Sequence, residues 1–137
     1  MRTKSLFWSL ILALVFASAC ELDEDDNPDP ADDRDKFIGA WNVNETCNRD
    51  SYSVQIDPDP TNSSQVIIRN FWLIGYQASP PYGIVAGNTI TLPNQPVGDN
   101  ISIEVEGSGK YENGDIEWSY TVNDGADLWS CNATYSR

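Results

Sequence analysis

Few side chains in this sequence could do chemistry. There is no histidine among the 137 residues, which removes the group that ionises near neutrality and with it a Ser-His-Asp triad or a histidine-bound metal. Carboxylates remain for acid and base work. Glu104 and Glu106 stand two apart, so on one strand they would lie about 7 Å from each other, a separation that glycoside hydrolysis uses. Both fall on the polar parity of an alternating run, however, the face that water covers. No catalytic residue, metal ligand or cofactor is assigned on this basis, and the chain is read as a non-enzyme.

Aromatic side chains are the other candidates. Trp41, Trp118, Tyr120 and Trp129 stand on apolar parities and could stack against a small apolar or glycan-derived ligand. Each also buries about 150–250 Å², enough to fill a small barrel without any ligand. Tyr76, Pro80, Pro81 and Tyr82 form a separate loop cluster that could meet a partner.

The three cysteines divide by position. Arg2 and Lys4 precede an apolar segment over 6–19 that is too short to span a bilayer as a helix and has the layout of a signal peptide. It ends in Ala17-Ser18-Ala19 before Cys20, which resembles a bacterial lipobox, although Ala17 stands where a leucine is usual. The resemblance implies a diacylglycerol on the Cys20 thiol and a membrane anchor for the chain. With Cys20 assigned to lipid, Cys47 and Cys131 form an even pair in an oxidising compartment, and a disulfide is their natural use. Closing that loop is worth about 4.5 kcal/mol in the chain-entropy model.

Residues 21–36 hold nine acids, two bases and two prolines and too little apolar surface to order themselves. They read as an extended acidic stalk. The carboxylate-dense run over 25–29 lacks the glycine that shapes calcium loops and reads as solvated linker. Acid directly after the lipidated cysteine resembles the surface-export signal of lipoproteins from Bacteroidota, implying an outward-facing outer-membrane location. The sequence thus divides into a signal peptide (1–19), a lipidated cysteine with its stalk (20–36) and a single domain (37–137). That domain carries twelve acids against four bases, which argues against a nucleic-acid partner.

Alternation of apolar and polar residues runs through the domain, and no stretch keeps helical spacing for three turns. Strands are expected near 38–46, 51–57 and 64–70, with two short ones at 82–86 and 89–93 joined through Gly87-Asn88. The segment 71–77 either continues a strand or covers one end of a barrel. Ile101, Ile103, Val105, Gly107, Gly109 and Tyr111 share one parity and predict a long strand whose two glycines let it bend. Asn113-Gly114 signals a hairpin into a return strand carrying Ile116, Trp118, Tyr120 and Val122. The final strand presents Trp129, Cys131, Ala133 and Tyr135 inward. Cys47 shares the parity of Trp41, and Cys131 that of Trp129, so both sulfurs meet if the first and last strands are neighbours. This predicts an all-β fold, an eight-stranded antiparallel up-and-down barrel; a two-sheet sandwich is the alternative.

The opening Phe37-Ile-Gly-Ala-Trp-Asn-Val-Asn-Glu-Thr-Cys47, the segment Val66-Ile-Ile-Arg-Asn-Phe-Trp72, the hairpin Gly87-Asn-Thr-Ile-Thr-Leu-Pro93-Asn-Gln95 and the closing Ser130-Cys-Asn-Ala-Thr134 resemble small lipocalin-like, or calycin-like, barrel lipoproteins of Bacteroidota. Gly39-Ala-Trp41 also matches the Gly-x-Trp that opens the first strand of lipocalins, whose tryptophan plugs the closed barrel end. The chain has neither the length nor the helix of a typical lipocalin, which argues against a roomy cavity. The expectation is a monomeric surface lipoprotein that binds a small apolar or glycan-derived ligand in its barrel mouth. The rival is an interaction or structural module of the envelope with a filled interior, working through loops or its outer face.

Overall fold

The computed structural model describes residues 32–47, 51–99 and 103–137. Cys20, the signal segment, most of the stalk and Ile101 lie outside them. Eight strands follow in chain order: β1 (Gly39–Glu45), β2 (Tyr52–Pro58), β3 (Gln65–Arg69), β4 (Tyr82–Ala86), β5 (Thr89–Val97), β6 (Ile103–Glu112), β7 (Asp115–Asn123) and β8 (Leu128–Ser136). Each pairs antiparallel with its sequence neighbour, and β1 also pairs with β8, Val43 opposite Tyr135 and Glu45 opposite Ala133. The sheet is therefore a closed up-and-down barrel, as the parities predict, and closure leaves no open edge.

Alternation builds the core directly. Trp41 and Val43 on β1, Val54 and Ile56 on β2, Val66 and Ile68 on β3, and Ile116, Trp118, Tyr120 and Val122 on β7 all point inward and are buried. Gly107 and Gly109 face Tyr120 and Trp118 across the β6–β7 ladder. A Cβ on Gly109 would stand 2.7 Å from the Trp118 ring, so these glycines make room for the two aromatics as well as letting the strand bend. The strand β5 runs four residues past the expected 89–93. Its register against β6 shifts between Leu92 and Gln95, a bulge that turns the Gln95 side chain inward to bond both the N–H and the C=O of Tyr82.

One end of the barrel is sealed by the chain's two described termini. Phe37 and Trp41 lie across it with almost no exposure, and the Trp41 indole N–H donates to the Phe37 carbonyl at 2.8 Å. The Arg137 guanidinium stacks 4.0 Å above the Trp41 ring and donates to the carbonyls of Ile38 and Lys36. Upstream, Arg34 donates to the carbonyls of Asp59 and Asn62 in the β2–β3 loop and of Gln65 at the start of β3. Lys36 caps the β4–β5 turn through Gly87 and Asn88. Residues ahead of Phe37, from Asp33 on, thus also contact the barrel. Arg34 and Lys36, the two cations of residues 21–36, find carbonyl partners there.

Candidate functional site

The opposite end is built differently. Here β1 finishes, β2 begins, β3 leads into the loop to β4, and β7 and β8 are joined by a short loop. The disulfide expected between Cys47 and Cys131 is present, with Cα atoms 5.4 Å apart, and ties the end of β1 to β8. Just inside it stands Glu45, which keeps the inward parity of Trp41 and Val43 and is only 5% exposed. It is the one buried carboxylate among the described residues, and no described ion pair includes it.

Three phenols surround that carboxylate. The Tyr120 hydroxyl donates to Glu45 Oε2. The Tyr52 hydroxyl sits close to Glu45 and Tyr120 without hydrogen-bond geometry to either, and Tyr135 lies near Tyr52 and Glu45. Burial pushes all three phenols well above their ordinary ionisation range, and the negative charge of Glu45 adds to the effect. Five buried polar atoms find no hydrogen-bond partner among the described residues: Glu45 Oε1, the hydroxyls of Tyr52 and Tyr135, and the indole nitrogens of Trp72 and Trp118. Each such group costs about 1–3 kcal/mol relative to a satisfied one. Concentrating them in one end of a small barrel is expensive unless something else fills their hydrogen bonds.

A short plug covers this cluster. The segment 71–77 is indeed a cover, formed around a 3₁₀ turn, Phe71–Leu73. Its Phe71 ring is fully buried, 4.9 Å from the Tyr120 ring and 6.3 Å from that of Trp118. Trp118 in turn packs 5.5 Å from Tyr135. The plug is strained: Trp72 and Leu73 have φ of 51° and 58°, left-handed backbone that costs such residues about 1–2 kcal/mol, while Asn70, at 62°, belongs to a type that tolerates it. Asn70 holds it in place, its amide donating to the Ser53 carbonyl at 2.8 Å and accepting from the Gly75 N–H at 2.9 Å. Tyr76, an exposed member of the expected loop cluster, donates to the same Ser53 carbonyl. Beside the plug opens a cavity of about 280 Å³ lined by Trp72, Leu73, Ile74, Ala78, Asp99 and Ile103.

The predicted aromatic residues separate accordingly. Trp118 and Tyr120 belong to this cluster, whereas Trp41 serves the sealed end. Trp129 keeps the inward parity of Cys131 but stands at the rim, 42% exposed, because β8 extends there beyond the packed interior. Its indole N–H donates to Asp124 at 3.1 Å, one of the bonds, after those from the Asp127 and Ala126 backbone, that hold the Asp124 carboxyl below its usual range. Trp129 therefore stands at the rim and not in the packed interior with Cys131 and Tyr135. Glu104 and Glu106 are exposed on the outer wall. Among the described residues no group of three or more His, Cys, Asp or Glu is arranged to hold a metal.

Sequence reasoning missed Glu45, Tyr52, Tyr135 and Phe71 as members of one site. The signal for Glu45 was present, since a glutamate at inward parity two residues after Val43 breaks the alternation of β1. The outer wall carries a second feature, a depression of about 610 Å³ over β5 to β8 lined by Thr89, Ser108, Lys110, Glu117, Ser119 and Asn132. Ser108, Ser119 and Asn132 lie in one row across three strands. No protein-family model, curated protein or solved structure matches this chain.

Proposed function

We propose that this chain is a non-catalytic, lipocalin-like binding module, anchored through a lipidated Cys20 at the outer surface of a bacterial envelope of the Bacteroidota type, that captures a small ligand at the disulfide end of its barrel. One observation carries the reading: the two barrel ends differ in polar satisfaction. The sealed end pairs its indole and its cations, whereas the mouth end holds five buried polar atoms without described partners under a strained cover. Polar groups placed this way suit a bound molecule that supplies the missing hydrogen bonds. Phe71 occupies the interior in the present conformation, so capture requires the cover to move. The small-residue lipobox-like run, the adjoining acids and the Gly39-x-Trp41 opening support the anchor, the location and the lipocalin likeness.

The full chain, extracted in detergent, tests this reading by tryptophan fluorescence against a panel of alkanols, oligosaccharides, sugars and amines. Trp72, Trp118 and Trp129 surround the mouth, and saturable quenching by at least one member is expected. A flat response across every class would overturn the reading. The same preparation, measured by intact mass, should show acyl chains on a mature form beginning at Cys20; an unmodified chain removes the anchor.

The filled interior and the outer depression favour a second reading, an envelope interaction module that docks its partner on the row of Ser108, Ser119 and Asn132. Arginine substitutions at Ser108 and Ser119 would abolish docking in that case and leave mouth binding intact.

A further inference from the structure

The unpartnered atoms of the mouth end form a pattern. Glu45 Oε1 is an acceptor only, the indole nitrogens of Trp72 and Trp118 are donors only, and the hydroxyls of Tyr52 and Tyr135 can do either. A ligand satisfying both kinds needs a strong donor next to an acceptor oxygen. The carboxylate is the second cue: Glu45 is 5% exposed and no described ion pair includes it, and charge on a buried carboxylate is costly until a cation joins it. Trp118 and Tyr135, with ring centroids 5.5 Å apart, and Tyr120, which donates to Glu45, remain there when Phe71 leaves, and aromatic rings attract an organic cation.

We propose that the mouth end is a gated site for a small hydroxylated ammonium ligand, with the Glu45 carboxylate against the ammonium, the indole N–H groups of Trp72 and Trp118 on its hydroxyl oxygens, and the Phe71–Leu73 turn as the gate. The proposal rests on the reading of the disulfide end as a ligand mouth and names the chemistry that mouth selects. The gate follows from the plug's construction. Phe71 stands where the ligand's ring or chain would sit, the left-handed backbone at Trp72 and Leu73 favours release, and the neighbouring cavity of about 280 Å³ gives the turn and the incoming ligand room. Asp99 on that cavity, together with a chain of net charge −13, draws cations toward the mouth. An amino alcohol and an amino sugar share the required chemistry, and size separates them.

Two ligand pairs of matched shape test it on the full chain by calorimetry: ethanolamine against ethylene glycol, and glucosamine against glucose. The expected result is saturable binding of an ammonium member about tenfold or more tighter than its neutral counterpart; whichever ammonium member binds better assigns the amino alcohol or the amino sugar. Glu45→Gln should weaken that binding about tenfold without lowering the melting temperature. The neutral pairs decide the matter on the unsubstituted chain should that variant misfold. Phe71→Ala should speed association, and an unchanged rate overturns the gate. Neutral ligands that bind as well as the ammonium ones overturn the ammonium assignment and leave the mouth reading standing. No quenching by any ligand class overturns both.

Discussion

The two ends of the barrel use the same materials, an aromatic plug over an inward-facing strand end, and reach opposite solutions. At the sealed end, Trp41 donates to a carbonyl 2.8 Å away and lies under the Arg137 guanidinium, while Arg34 and Lys36 satisfy loop carbonyls. At the mouth end, Phe71 sits on a left-handed turn above one carboxylate oxygen, two hydroxyls and two indoles that lack described partners. Packing alone therefore does not separate them, since both plugs are fully buried. What differs is polar satisfaction, which the sealed end has and the mouth end lacks, and backbone strain, which the mouth cover carries.

The largest expected effect comes from the mouth end's own lock. Replacing Cys47 and Cys131 by serine releases a loop closed across 84 residues and should cost about 4.5 kcal/mol, read as a lower urea midpoint. Because β1 and β8 remain paired through Val43 and Tyr135, the barrel should still close. Hydrogen exchange should quicken around Glu45 and Cys131 before it does around Trp41. Equal quickening at both ends would erase the distinction drawn between them.

Removing each plug sharpens it further. Trp41→Ala should cost about 3–5 kcal/mol, the usual loss for a large core aromatic. Phe71→Ala removes a side chain equally buried, yet it lets water reach the polar atoms beneath and frees a strained turn, so about half that loss is expected. Thermal or urea unfolding of the two variants gives the comparison, and equal losses would mean that the mouth plug is ordinary core.

Alkaline titration probes the same cluster with no substitution. Tyr52, Tyr120 and Tyr135 ionise far less readily folded than unfolded. Above about pH 10, where the unfolded phenols begin to lose protons, the folded chain binds more protons than the unfolded one, so stability falls as pH rises. The slope is about 1.4 kcal/mol per pH unit for each of the three. Stability should be level with pH below 10 as far as these groups are concerned. The phenolate absorbance of the three should then appear in one step with unfolding, and gradual ionisation of all three before unfolding would mean that water already enters the mouth.

Much of this frame was legible beforehand. Strict parity in β6 and β7 fixed the inward row, and equal parity of the cysteines with Trp41 and Trp129 brought β1 beside β8. What escaped were features that depend on where a strand stops. Trp129 has the correct parity but lies past the packed interior. Glu45 has inward parity with a polar side chain, so a reading that sorts residues by polarity sends it outward. The plug escaped because its left-handed backbone at Trp72 and Leu73 uses residues with little local preference for it, unlike Asn70 beside them. Tertiary contacts, chiefly the burial of Phe71 and the two bonds of Asn70, hold that turn against its own propensity.

That balance gives the smallest effect and the most specific one. Leu73 is 47% exposed with φ of 58°, so its side chain contributes little burial while its backbone bears a left-handed cost. Leu73→Gly removes the steric penalty and adds entropy to the unfolded chain, and the two effects oppose each other. A net gain of about 0.5–1 kcal/mol is expected, because the steric penalty of about 1–2 kcal/mol outweighs the added chain entropy. The same change at Val43, buried in β1 and paired with Tyr135, would destabilise through a lost side chain and a loosened strand. A stabilising glycine at position 73, read by urea unfolding, identifies the turn as strained. A destabilising one would mean that the left-handed backbone there is relaxed, and the mouth cover would then lose the tension that distinguishes it from the sealed end.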